Sequence, residues 1–245
     1  MSESAAASDE PTGTGPALPA SVTVVPGEHS VLRRTLGPTL RAWMRLEADG
    51  VEHVPPVGPV LIASTHRSHG DSMAIAAAIA RPVHFLGDLK LTAWPVLGPR
   101  LTKLGMVPLR RGEGDADALD VIRLLLEEGA CVAVYPEGSR SRDGHVHRLR
   151  SGVARLAAER QVPVVPATAL GIEDVWPVDG RPRPLGGKVL VRFGPAIAPP
   201  ADTPKARRTF NMELQAMLGA LSDSPLADNF APPHGGGDAP EPSPS

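Results

Sequence analysis

Short apolar runs alternate with helix-forming stretches along most of this chain, and that alternation restricts its fold more than any other feature. Strand-like runs are expected at 59–63, 82–86, 131–135, 163–167 and 188–193. Helices are expected at 71–80, 91–104, 115–128, 151–160 and 203–221. In 115–128, Leu119, Ile122 and Leu126 recur at three- and four-residue spacing, as a 3.6-residue turn requires. Gly129 follows as a C-terminal cap. Strands separated by helices imply an α/β fold: a largely parallel or mixed sheet flanked by helices.

The ends read differently. Residues 1–28 are rich in Ala, Ser, Pro, Gly and Thr without a period, and are expected to be disordered. The same is expected of 224–245, which carries Pro-Pro-His-Gly-Gly-Gly and ends in Pro-Glu-Pro-Ser-Pro-Ser. Between them, 29–46 reads as a basic amphipathic helix ahead of a folded domain at 47–223. Leu32, Leu36, Leu40, Trp43, Met44 and Leu46 fall on one side, and Arg34, Arg41 and Arg45 on the other. Such a helix either lies on an anionic bilayer or packs on the domain with its arginines in water. Gly37-Pro38 is a point where it kinks or splits.

Composition narrows the function. A net charge of −2 and 3% aromatic residues argue against a nucleic-acid partner. A single cysteine, Cys131, excludes an internal disulfide framework and fits a reducing compartment. It sits in an apolar run and reads as a buried small hydrophobe. The N-terminus has acids where a signal peptide needs a basic region. No apolar run approaches the ~18 residues of a spanning helix. The expected location is cytoplasmic, peripheral on the inner face of the cell membrane.

The chemistry begins where the first apolar run stops. Val60 to Ala63 lead into a polar loop holding His66, and Asp71 opens the next helix. A turn there folds the carboxylate onto one imidazole nitrogen, fixing the tautomer and leaving the other nitrogen as an acceptor. These are the ingredients of a general base. Two further clusters follow apolar runs: Gly105-Met-Val-Pro-Leu-Arg-Arg111, and Tyr135-Pro-Glu-Gly-Ser-Arg140 with Arg142 beyond it. Glycine lets backbone approach a ligand, and arginine forks match phosphate oxygens. Ligands of open parallel sheets gather beyond the carboxyl ends of strands, so the clusters propose one site.

His66-Arg-Ser-His-Gly-Asp71 resembles the H-x-x-x-x-D motif of the glycerolipid acyltransferase family, which includes 1-acylglycerol-3-phosphate acyltransferases. Gly105 to Arg111 resembles its second block, Pro136-Glu137-Gly138-Ser139-Arg140 its third, and Val162-Pro-Val-Val-Pro166 its fourth. Order and spacing both match, over roughly residues 45–198. The resemblance implies a glycerol-phosphate acyltransferase-like fold and transfer of a fatty acyl group from acyl-CoA or acyl carrier protein to a lysophospholipid. 1-Acylglycerol-3-phosphate is the leading acceptor. By position, His66 would be the base and Asp71 its orienter. Arg111, Glu137, Gly138, Ser139 and Arg140 would shape the acceptor site. Arg150 stands where the family often has Lys. Neither a metal nor a cofactor is implied. The bilayer acceptor favours membrane contact by helix 29–46. The sequence departs from the pattern in places: Thr65 replaces the usual Asn, Ser139 the usual Thr, and the block around Arg111 has Pro108 and an extra Arg110.

Two rival readings remain at this level. In a metal-dependent hydrolase, His66, His69 and Asp71 would be ligands, but their spacing differs from the metallo-β-lactamase pattern. A non-catalytic lipid-binding protein on the same fold would need neither His66 nor Asp71.

Overall fold

The computed structural model describes residues 37–93, 101–102, 105–109, 115–178, 180–183 and 186–232. The expected segment 1–28 lies outside these residues, as do the first part of helix 29–46, Arg111 and the end of the tail. A helix over 37–44 (α1) leads to strand β1, Glu47–Asp49. Then follow β2 (Val60–Ser64), α2 (Asp71–Ala78), β3 (Val83–Asp88), β4 (Met106–Leu109) and α3 (Asp115–Glu127). The chain continues through β5 (Cys131–Val134), α4 (Gly152–Arg160), β6 (Val164–Leu170), α5 (Ile172–Val175), β7 (Leu190–Phe193) and α6 (Pro204–Ser222).

The seven strands form one sheet in the order β1-β7-β6-β2-β5-β3-β4. Five neighbours, from β6 to β4, run parallel; β7 runs antiparallel to β6 and takes β1 with it. The sheet is therefore mixed. The reversal follows a connection whose one short helix, α5, is too small to cover a crossover.

β2 lies at the centre, and all five of its residues are buried. Its side chains alternate between two cores, as the two-residue period of a strand demands. Val60 and Ile62 join Met44, Ala74, Ile75 and Phe85 on one face; Leu61 and Ala63 join Ile122, Leu125, Leu156 and Leu214 on the other. Helices α1 and α2 cover the first face, and α3, α4 and α6 the second. Helix α2, apolar on nearly every side, is correspondingly buried. Helix α6 starts with Thr203, whose hydroxyl accepts from the Ala206 N–H, and Pro204 holds its first turn.

Most expected elements recur within a few residues. The stretch expected as a helix at 91–104 lies largely outside the described residues; its beginning belongs to a 3₁₀ turn, Leu89–Ala93. β1 and β4 were not expected. β4 contains Pro108, which an edge strand tolerates because one side has no ladder to complete.

Two expectations about the ends change. In the described turns of the amphipathic helix, the apolar face is occupied by the domain. Met44 is fully buried, Leu40 and Trp43 pack on the core, and the Trp43 indole donates to the Arg183 carbonyl at 3.1 Å. Arg41 donates to the Ala77 carbonyl. The tail boundary at 224 also moves: residues 224–232 follow the domain surface, with Ala231 buried. The Val146 N–H donates to the Pro225 carbonyl at 2.9 Å, and the Ala227 N–H to the Val146 carbonyl at 3.0 Å.

Leu61→Ala removes a fully buried side chain from the central strand. The expected loss is about 2–5 kcal/mol, transfer and cavity terms together. Urea unfolding followed by circular dichroism measures it.

Candidate active site

Adjacent parallel strands β2 and β5 deliver two loops to the same sheet edge. Val60 pairs with Cys131 and Ala63 with Val134, so both strands end level. One loop then carries His66 and the other begins at Tyr135. Below them, the Thr65 and Thr168 hydroxyls bond at 2.8 Å between the ends of β2 and β6.

His66 and Asp71 meet as expected. Nδ1 of His66 lies 2.8 Å from Oδ2 of Asp71. Since a carboxylate oxygen only accepts, Nδ1 carries the proton and Nε2 is the acceptor. Oδ2 also accepts the N–H groups of Arg67 at 2.8 Å and Ser68 at 2.9 Å. Asp71 is 1% exposed, while the His66 side chain is 22% exposed. Three donors offset the cost of burying the carboxyl group, and its place in the first turn of α2 adds a favourable helix-dipole interaction. Among the described residues none hydrogen-bonds Nε2.

The imidazole also has a stacking partner that the sequence did not single out. The Tyr135 ring lies 3.9 Å away, centroid to centroid, at 20°. Its hydroxyl bonds Oγ of Ser72 at 2.6 Å. Burial and the nearby Asp71 carboxylate push the Tyr135 phenol well above its ordinary pKa, so it remains protonated. Tyr135 follows directly on β5, a position that hints at the site, but nothing in its spacing pairs it with His66.

Glu137, expected to help shape the acceptor site, is a buried acceptor of two backbone N–H groups. It is 1% exposed and faces the protein, accepting the His66 N–H at 3.4 Å and the His147 N–H at 3.0 Å. It therefore ties the two loops together from beneath. Burial pushes its pKa up, against the pull of those two N–H donors. The Ser141 N–H donates to the His66 carbonyl at 2.8 Å and closes the same junction.

The remaining expected residues line the second loop. Gly138 has φ +77°, and a Cβ there would lie 2.3 Å from Nε of Arg150, so only glycine fits. Arg150 is exposed beside it. Nη1 of Arg140 lies 2.7 Å from both ring nitrogens of His69, which tilts against Trp176. His69 is thus engaged by Arg140 and not gathered with His66 and Asp71 as a ligand set. Ser139 donates to the Pro232 carbonyl at 3.0 Å. Asp143 accepts from the His145 N–H, the Ser141 hydroxyl and the His147 ring. Desolvation opposes the change, but these bonds lower the Asp143 pKa to about 2. Arg111 lies outside the described residues; β4 ends at Leu109, on the same sheet edge.

Arg67 was passed over in the sequence. Its guanidinium donates to the Gly144 carbonyl at 3.2 Å and to the Ser224 hydroxyl, and pairs with Glu173 at 3.4 Å.

Comparison with known proteins places the chain in a family. The family model described as Acyltransferase matches residues 45–169. A chloroplastic 1-acyl-sn-glycerol-3-phosphate acyltransferase of Brassica napus is 28% identical over 152 residues, 61% of this chain. The chain spans only 44% of that relative's length. The alpha form of 1-acyl-sn-glycerol-3-phosphate acyltransferase from Mus musculus is 25% identical over 213 residues, 80% of this chain and 72% of its own. In structure, the chain resembles the 1-acyl-sn-glycerophosphate (LPA) acyltransferase PlsC of Thermotoga maritima, with a TM-score of 0.61 and 21% identity. The likeness covers 79% of each chain and speaks for the fold.

Glu137→Gln leaves one buried N–H facing an amide donor, and should cost about 1–3 kcal/mol by urea unfolding. The raised pKa sets the pH slope. The group's stabilising contribution is complete below pH 4.5 and declines as pH rises through the folded-state value. That slope should vanish in the Gln variant.

Proposed function

Because the chain belongs to the Acyltransferase family, we propose that it moves a fatty acyl group from a thioester to the free hydroxyl of a lysophospholipid. The acceptor that its relatives favour is 1-acylglycerol-3-phosphate, and the product is then phosphatidic acid. The donor is acyl-CoA or acyl carrier protein. The observation carrying this reading is the 2.8 Å His66–Asp71 bond on an imidazole that stays partly exposed.

An alcohol is a poor nucleophile at neutral pH. His66 Nε2 takes the hydroxyl proton as the oxygen attacks the thioester carbonyl. Asp71 stabilises the imidazolium, as the carboxylate does in a serine-protease triad. Here the substrate supplies the hydroxyl, so no acyl-enzyme forms. The tetrahedral intermediate collapses, the C–S bond breaks, and the imidazolium proton passes to the departing thiolate. The stacked Tyr135 and the three donors on Asp71 hold the imidazole plane through the cycle. Arg140 and Arg150, on the loop joined to that of His66, supply cations for the acceptor's phosphate, with Arg111 as a third by sequence position.

The acceptor resides in a bilayer, so the protein works as a peripheral membrane enzyme on the cytoplasmic face. No helix among the described residues is long and apolar enough to cross a membrane.

Purified protein should release thiol from acyl-CoA or acyl carrier protein only when lysophosphatidic acid or another lysolipid is present. Release without acceptor would mean a hydrolase instead. His66→Ala should lower the rate by about 10²–10⁴-fold with an unchanged circular dichroism spectrum. Retention of more than about a tenth of the rate contradicts the base assignment. Arg140→Ala should raise the acceptor KM about tenfold or more while changing kcat little, as loss of a charge-assisted contact does. Steady-state kinetics across acceptor concentration separates the two.

A further inference from the structure

The segment after α6 is bonded to both loops of the candidate site, though it lies beyond the residues that match the family model. Ser139 donates its hydroxyl to the Pro232 carbonyl at 3.0 Å. The Arg148 N–H donates to the Asn229 carbonyl at 3.0 Å, and the Arg148 guanidinium stands 5.0 Å over the Phe230 ring. Val146 exchanges bonds with Pro225 and Ala227 in a parallel bridge. Gln215, on α6, donates to the carbonyls of both Val146 and Ala227 at 3.1 Å. On the other loop, Arg67 reaches the Ser224 hydroxyl. These contacts span the whole length of 224–232.

Their consequence falls on the loop 137–150. That loop has no regular structure of its own beyond the bridge at Val146. It nevertheless carries Arg140 and Arg150, the cations assigned to the acceptor. Glu137 holds its beginning from beneath. The backbone bonds from 225, 227 and 229 hold its later part from outside. Ser139 is 7% exposed and its hydroxyl is engaged by Pro232, so it is poorly disposed to bind a substrate.

We infer that residues 224–232 form a positioning strap for the acceptor-binding loop, and that Ser139 acts through this strap instead of touching the acceptor. The inference rests on the lysophospholipid acyltransferase reading above. It makes Ser139 and the strap one unit, so their effects must fail to add.

The test compares the full chain with forms ending at residue 232 and at residue 228, each with and without Ser139→Ala. The form ending at 232 keeps every contact named above and should match the full chain. The form ending at 228 loses the partners at 229, 230 and 232. Its acceptor KM should rise about three- to tenfold, the scale of one or two lost hydrogen bonds, with kcat within about twofold. Ser139→Ala should raise the KM of the full chain and add nothing to the form ending at 228. Hydrogen exchange supplies a readout independent of turnover: the Arg148 amide should exchange faster in the form ending at 228, while amides of β2 stay protected. Multiplying effects of Ser139→Ala and truncation would assign Ser139 to the acceptor and overturn the inference. So would an unchanged KM or an unchanged Arg148 amide. A full chain that transfers no acyl group from either donor to any lysolipid would instead overturn the functional reading, and the exchange result would then stand alone as a test of the strap's hold.

Discussion

Asp71 Oδ2 accepts three hydrogen bonds, and the order of the site depends on them. The His66 ring and the N–H groups of Arg67 and Ser68 converge on one oxygen of a nearly inaccessible carboxyl group. Any one bond would be modest. Together they curl the loop around the start of α2, and they fix which imidazole nitrogen is available. A carboxyl group in this setting is costly to bury without partners, so the loop and the carboxylate stabilise each other. The tautomer and orientation of the imidazole are set by the fold itself.

That junction would be isolated without β5. Its pairing with β2 brings the Tyr135–Arg150 loop alongside, and three contacts lock the two loops together. Tyr135 stacks on the imidazole, Glu137 accepts from the His66 N–H, and the Ser141 N–H donates to the His66 carbonyl. The division of labour is plain from burial. Asp71 and Glu137 are enclosed and organise backbone, whereas Arg150 is exposed at the surface where a lipid headgroup could reach it. Residues that look alike within one sequence motif therefore perform different physical tasks.

The two ends of the domain follow the same rule: apolar surface and open backbone groups are used within the fold where they can be. The Trp43 face of α1 covers the sheet, although its pattern equally suits a bilayer. An amphipathic stripe states only that something apolar must cover it. The partner is decided by what lies nearest once the sheet has formed. Likewise 224–232 has the composition of a tail but runs beside a loop with unsatisfied N–H and C=O groups, and pairs with them.

The α/β class is legible in the residues alone, because strand and helix periods are local and alternate clearly. The His66–Asp71 pair is legible there too, since a separation of five positions, between a strand end and a helix start, confines the two side chains to one turn. Helix α3 and its Gly129 cap were legible for the same local reason. Only the packed fold shows that β7 runs antiparallel to β6 and carries β1 with it, that Glu137 points inward, that Tyr135 backs the imidazole, and that Pro232 takes the Ser139 hydroxyl. Each of these joins residues far apart in the chain. Propensity and spacing act over a few residues, whereas strand order and burial are set by the packing of the whole domain.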